Sequence, residues 1–472
     1  MKSRVFQNLI YQSFYQLLKI MMPLITVPIV SHALGASGVG QYSFANSIAQ
    51  YFVLVAALGL PLYGTREIAK ARDSKKELSQ EFWNLEGFSL ILMSGIVVLY
   101  LLTGLFFNLG LVYFVQVILV IGTGLDISWF FMGMEDFKKI TLVNFVLQVF
   151  YFVAIVTQIN SSNDLIKYTV FISSIALLNP LSLWLFVRGK IFFVTPKIAN
   201  MFAAMKESFL LFIPQVAIVL YTNMNKTMLG ILSSKSYVGV FTNALLISTT
   251  VITLISTIDT VLMPHATRLF VQKKDTQGYL MIQKVLNFEI FFTIAIAAGI
   301  YAITDKLIPW FFGNTFSSME YVLPIVGLLV IVIPGGMTIS RQYLIPQGRI
   351  REYNNSVYIG AVISVVLNFV LIPVLGAIGA ALVSVIVEAI IWLIRLVDFC
   401  KRTRLGYSTR QVLLNLLSAV IMILVIRLTT SGLHATIVTT IIQVVIGGIV
   451  YLVLTTAMKA NPVINFLREN KT

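Results

Sequence analysis

Phe6 to Val30 reads FQNLIYQSFYQLLKIMMPLITVPIV. It is apolar enough to cross a bilayer, which takes about 20 such residues for roughly 30 Å of hydrocarbon. Yet Asn8, Gln12, Gln16 and Lys19 fall at steps of four, four and three, so on a helix they share one face. An unpaired ion at membrane depth is expensive, so such a stripe calls for water, a polar partner or a charged ligand. A shorter span, Leu18 to Leu34, would instead leave Lys19 at the interface with its stem snorkelling outward.

The rest of the chain follows the same pattern. Of 472 residues, 58% are hydrophobic and 11% charged, whereas a soluble domain carries about 25% charged residues. With a mean hydropathy of +0.90, the chain reads as an all-α integral membrane protein. Apolar runs near 9–34, 40–65, 82–107, 110–134, 140–160, 165–187, 207–232, 238–264, 285–304, 320–346, 356–374, 376–399, 410–430 and 436–458 make about fourteen spans. The connections are too short for a folded soluble domain. MKSRVFQNLIYQSF lacks the clean apolar core and cleavage site of a signal peptide, so it reads as the start of the first helix. One cysteine, Cys400, excludes a disulfide framework.

Lysine and arginine set orientation. They gather in the even-numbered connections: Arg66 to Lys76, Lys138–Lys139, Arg188 to Lys197, Arg268 to Lys274, Arg349–Arg351 and Lys401 to Arg410. The odd-numbered ones are nearly bare, which predicts both termini in the cytoplasm. The net charge of +15 is then mostly topology and implies no nucleic-acid partner.

An internal duplication is also legible. Leu34-Gly35, Val39-Gly40-Gln41-Tyr42 and Ala45-Asn46 are echoed by Leu229-Gly230, Val238-Gly239-Val240-Phe241 and Asn243-Ala244. The echo lies six spans on and runs in the same direction. It predicts two pseudo-symmetric six-helix bundles, 1–200 and 201–403, plus a further transmembrane pair, 404–472. Parallel halves are a recurrent transporter architecture.

Three segments carry a resemblance: SFYQLLKIMMPLITVPIVSHALGASGVGQYSFANSI, GLDISWFFMGMEDFKKIT and LFIPQVAIVLYTNMNKTMLGIL. They resemble capsular polysaccharide and O-antigen repeat-unit flippases of the multidrug/oligosaccharidyl-lipid/polysaccharide exporter superfamily. The resemblance implies movement of undecaprenyl-diphosphate-linked oligosaccharide from the inner to the outer leaflet of a bacterial plasma membrane. One position departs: Asn225 stands before Lys226 where the family pattern implies Asp.

The residues expected to bind substrate are Lys19, Gln16, Gln12, Asn46, Gln215, Asn225 and Lys226. An ammonium group in a poorly screened cavity suits a diphosphate. The competing reading of Lys226 is snorkelling, since it lies about six residues, or about 9 Å, from a span end. The Thr249, Thr253, Ser256 and Thr260 stripe reads better as packing between helices. Asp126, Glu388 and Asp259 are the ion-coupling candidates, because a carboxylate at depth is protonated, paired or wet. Structural pairing is the alternative for Asp126, and Arg395 lies seven residues beyond Glu388. Glu86 and Glu289 lie nearer the cytoplasmic ends.

No GxxxxGK[ST] run is present for ATP, and no HExxH or paired-cysteine spacing for a metal. The expectation is therefore a secondary transporter without a cofactor, coupled to a proton or sodium ion, whose partners are membrane lipids, the lipid-linked substrate and polysaccharide assembly proteins. Two alternatives stand beside it. A multidrug cation exporter of the same superfamily would have an acidic cavity, and a membrane-embedded polymerase would have a large, charged external loop.

Overall fold

The computed structural model describes the backbone of residues 2–464, and the side chains of 22–464 except 210, 211, 213, 214, 217 and 221. Among the described residues, twelve helical segments are long and apolar enough to cross a membrane. The first of these, Met22–Ala71, holds more than one helix. Helix α1 (Lys2–Ala57) breaks at Gly35, whose φ of 63° and ψ of 178° leave helical space, at the turn expected between the first two spans. A left-handed φ of this kind is tolerated by glycine because it has no Cβ.

Several expected spans are interrupted rather than continuous. Leu58 and Gly59 take positive φ before α2 (Leu60–Ala71), which carries Pro61 in its first turn. After α3 (Lys75–Phe106), the run near 110–134 is three short helices, α4 (Leu111–Val115), α5 (Val117–Gly124) and α6 (Ser128–Gly133). Helices α7 (Phe137–Gln158), α8 (Leu165–Trp184) and α9 (Ile198–Leu232) follow. The run near 238–264 divides into α10 (Lys235–Ile255) and α11 (Thr257–Val271). Beyond α12 (Asp275–Phe311), the run near 320–346 divides into α13 (Met319–Gly327), α14 (Leu329–Ile339) and a π-helical turn, Ser340–Leu344. Helices α15 (Ile350–Leu375), α16 (Ala377–Thr403), α17 (Thr409–Thr430) and α18 (Ile437–Ala457) complete the chain. Among the described residues, β pairing is confined to an isolated bridge between Arg188 and Ile191.

The chain divides into two compact units, residues 1–227 and 228–472. In lipid the hydrophobic effect does not drive helices together, so close packing must. In the first unit Phe82 meets Phe130 and Trp184 edge to face and packs against Trp129 at a shallower tilt of 32°. Tyr100 and Tyr113 stack at 4.1 Å, and each hydroxyl donates to the other's carbonyl at 2.7 and 3.0 Å. Gly122 lets α5 approach α8 so closely that a Cβ would sit 2.2 Å from the Ala176 carbonyl oxygen.

In the second unit α12 packs against α17 and α18 through Phe291, Met422, Ile426 and Tyr451. The Tyr451 hydroxyl donates to the Phe291 carbonyl at 2.8 Å. A Cβ on Gly379 would meet the Leu371 carbonyl oxygen at 2.4 Å, so this glycine permits the tight α15–α16 hairpin.

Within each unit the basic connections meet. In the first, Arg72 pairs with Glu135 at 2.8 Å, and Asp136 binds Lys190 at 2.8 Å and Lys139 at 3.2 Å. In the second, Asp398 takes Arg349 at 2.5 Å and Arg402 at 3.1 Å. Connections grouped by their charge in sequence therefore lie together on one face of their own unit.

Candidate functional site

Lys19, Gln16 and Gln12 lie outside the residues whose side chains are described. The other expected substrate-binding residues fall in the first unit. Lys226 is half-buried on α9, inside an apolar helix. Its neighbour Thr227 ties α9 to α1, with its hydroxyl 2.8 Å from Ser47 Oγ and 3.1 Å from Tyr51 Oη. The ion pairs of this unit involve Arg66, Lys70, Arg72, Lys139, Lys167 and Lys190, not Lys226. Lys226 is thus an ammonium group without a paired carboxylate among the described residues. Asn225 is buried and Gln215 half-buried on the same helix.

Asn46 is held inside its bundle: its Nδ2 donates to Gln116 Oε1 at 3.1 Å, and Gln116 Nε2 donates to the Tyr42 carbonyl at 3.4 Å. The threonine stripe is largely turned back on its own helix. Thr249 donates to the Leu246 carbonyl at 3.2 Å and Thr253 to the Thr249 carbonyl at 2.8 Å.

The three ion-coupling candidates have different surroundings. Asp126 sits in the break between α5 and α6 and accepts from Ser128 N at 2.9 Å and Ser128 Oγ at 3.0 Å. That geometry secures the start of α6. Glu388 is half-buried on α16, while Arg395 donates to Ser356 Oγ at 3.0 Å and the Gly336 carbonyl at 3.1 Å and lies over the Tyr353 ring.

Asp259 is fully buried on α11 and belongs to a cluster. Thr338 Oγ1 lies 2.7 Å from Asp259 Oδ1 and 2.5 Å from Glu289 Oε2. Gln342 Nε2 donates to Asp259 Oδ1 at 2.8 Å. Four elements build this arrangement: α11, α12, α14 and the π-helical turn. Thr338 and Gln342 are four residues apart and reach the same carboxylate. Arg341 turns away to the Ser256 carbonyl at 3.3 Å and Thr260 Oγ1 at 2.9 Å.

The sequence places Glu289 nearer a cytoplasmic end than Asp259 and singles out neither Thr338 nor Gln342. A signal for Glu289 existed. Asn84-Leu-Glu86-Gly-Phe88 on α3 and Asn287-Phe-Glu289-Ile-Phe291 on α12 share the spacing Asn-x-Glu-x-Phe. The two asparagines do the same work. Asn84 Oδ1 accepts the backbone N–H of Lys197 at 3.0 Å, just before α9. Asn287 Oδ1 accepts that of Ser408 at 2.9 Å, just before α17. The helix that follows six spans is thus anchored alike in each unit. Glu86, at the matching place in the first unit, is fully buried, and neither of its carboxyl oxygens has a hydrogen-bond partner among the described residues.

A family profile described as "Polysaccharide biosynthesis protein" matches residues 5–270. The chain is 24% identical over 398 residues to the Escherichia coli (strain K12) protein named "Putative O-antigen transporter", covering 82% of this chain and 94% of that one. A Shigella dysenteriae protein of the same name is 22% identical over 389 residues, covering 80% and 95%. Among solved structures, "Lipid II flippase MurJ, inward closed conformation" is similar with a TM-score of 0.76 at 17% identity, covering 96% of this chain and 98% of that one. An outward-facing multidrug resistance MATE family transporter of the MOP superfamily gives a TM-score of 0.52 at 15% identity, covering 85% and 96%. At these identities the structural likeness concerns the fold.

Proposed function

The chain belongs to the polysaccharide biosynthesis protein family, and from that premise we propose that it is a flippase for lipid-linked oligosaccharide. It would move undecaprenyl-diphosphate-linked repeat units from the inner to the outer leaflet of a bacterial plasma membrane by alternating access, with both termini cytoplasmic, for capsule or exopolysaccharide synthesis. On this reading it is a secondary transporter, not an enzyme, and works beside polysaccharide assembly proteins.

The observation that carries the reading is Lys226, an ammonium group within an apolar helix with no carboxylate paired to it among the described residues. Such a group attracts a diphosphate and repels an organic cation, because a charge in a poorly hydrated site is weakly screened. The relatives named as O-antigen transporters and the MurJ-like fold support the same substrate class. The lower structural similarity to the multidrug transporter gives the cation-exporter reading less support.

The test is the leaflet distribution of the oligosaccharide-diphosphate lipid at matched protein levels, comparing wild type with Lys226→Ala, Lys19→Ala and Lys19→Arg. Loss of outward movement in the alanine variants, with part retained by Lys19→Arg, is the expected result. Failure of the wild type to move its native lipid would overturn the function. Unimpaired alanine variants would remove both lysines from the substrate site.

A further inference from the structure

We infer that Asp259 and Glu289, with Thr338 between them, form a proton site within the second unit that loads and unloads during transport. The inference rests on the transporter reading and adds to it the coupling ion and the residues that hold it.

The argument is a count of protons. Thr338 has one hydroxyl proton, and its oxygen lies within hydrogen-bond distance of a carboxyl oxygen on both acids, at 2.7 and 2.5 Å. One hydroxyl cannot donate to two carboxylates at once. A second proton must therefore lie on one of the acids, which then donates to Thr338 while Thr338 donates to the other. Gln342 Nε2 directs a further donor at Asp259 Oδ1, whereas Glu289 Oε2 has Thr338 alone among the described residues. Asp259 is accordingly the carboxylate and Glu289 the carboxylic acid: Glu289 donates to Thr338, and Thr338 and Gln342 donate to Asp259.

An independent observation points to exchange rather than a closed structural network. Gln342 is fully buried, and its Oε1 has no hydrogen-bond partner among the described residues. Asp259 Oδ2 and Glu289 Oε1 are likewise buried without a hydrogen-bond partner among the described residues. A network built only for stability satisfies its buried oxygens. Three open acceptors around one shared proton form a site in which the proton can be relocated or replaced by a small monovalent cation.

The charged and titratable groups facing the pair are few. Among the described residues, Arg341 of the π-helical turn acts on Asp259 electrostatically while its hydrogen bonds go to Ser256 and Thr260. Tyr407, ahead of α17, lies within electrostatic reach of both acids. Arg395, from α16, is engaged with Ser356, Gly336 and Ser340. The ion pairs of this unit gather at Arg349 and Asp398. A π-helical turn beside the cluster is also a recurrent mark of functional sites.

The experiment uses the full-length protein in lipid vesicles and reads two quantities. Infrared difference spectra of wild type minus Glu289→Gln report whether Glu289 is protonated at neutral pH. The same variant, with Asp259→Asn and Thr338→Val, is assayed for lipid movement with and without an imposed proton gradient. The expected result is a carboxylic-acid band lost in Glu289→Gln and kept in Asp259→Asn. Movement by wild type should accelerate with the gradient, whereas Glu289→Gln should move lipid at one rate regardless.

An empty difference spectrum overturns the proton site. A band accompanied by the same gradient response in wild type and Glu289→Gln makes the proton structural and overturns the coupling. A band that added sodium converts to carboxylate signal reassigns the site to sodium. If wild type moves no lipid but its band titrates reversibly, the transport reading fails and the proton site stands.

Discussion

Glu86 and Glu289 occupy the same position in a duplicated motif, yet their surroundings differ. Glu289 shares a threonine with a second acid, and the adjoining Gln342 presents an open oxygen. Among the described residues Glu86 has no hydrogen-bond partner on either oxygen, and the acid Asp126 is engaged by Ser128 instead. The glutamate and its asparagine anchor thus recur in both units, while the neighbouring helices determine what the acid can do. A buried carboxyl that finds no partner is most stable neutral. One that finds a second acid and a bridging hydroxyl must share a proton.

The sharpest way to break this comparison is to replace each acid by an apolar residue of similar length. Glu289→Met should destabilise by about 2–3 kcal/mol, because it leaves buried partners of the network unsatisfied. Glu86→Met should lie within about 1 kcal/mol of wild type, or be slightly stabilising, because it removes a buried group with no hydrogen-bond partner among the described residues. Thermal unfolding of the detergent-solubilised variants measures the difference. Equal losses at the two sites would show that Glu86 has partners of its own.

A smaller effect tests what the two units have in common. Asn84→Ala and Asn287→Ala should each cost about 1–2 kcal/mol, since each leaves one backbone N–H, of Lys197 or of Ser408, without its acceptor. Hydrogen exchange at those two amides should rise in its own variant only. Unequal costs would mean that the anchors are not equivalent.

The smallest expected effect lies outside the spans, at Asp136. Burial pushes its carboxyl upward, but hydrogen bonds from Lys190 and Lys139 outweigh this and hold it below the ordinary carboxylate range. The group therefore stabilises the first unit above an unfolded value of about 3.9, and this contribution is lost as pH falls through the lower folded value. Asp136→Asn should remove that acid-dependent component, worth less than about 1 kcal/mol for a surface pair. Melting curves taken across acid pH would detect it.

How much of the molecule was legible varied with the length of the pattern. The helical, membrane-spanning architecture is readable from apolar runs alone, because a span must satisfy its backbone internally and about 20 residues suffice. The Gly35 turn was readable from the repeated Leu-Gly and Val-Gly pairs. The breaks at Leu58–Gly59 and at Gln116 within α4–α5 were not, since apolar residues continue across them. Asp259 could be named as a buried acid. Its partners could not, because Glu289, Thr338 and Gln342 lie 30 to 83 residues away on other helices.

By itself the sequence determined that this chain lives in a membrane, that two of its stretches echo one another, and where its charges gather, since all three are properties of local composition and spacing. Only the tertiary structure decided which polar residues meet. Asn46 faces Gln116, Thr227 faces Ser47, and Asp259 meets Glu289 through Thr338. A hydrogen bond requires donor and acceptor within about 3 Å, and that distance between helices is set by how their side chains pack.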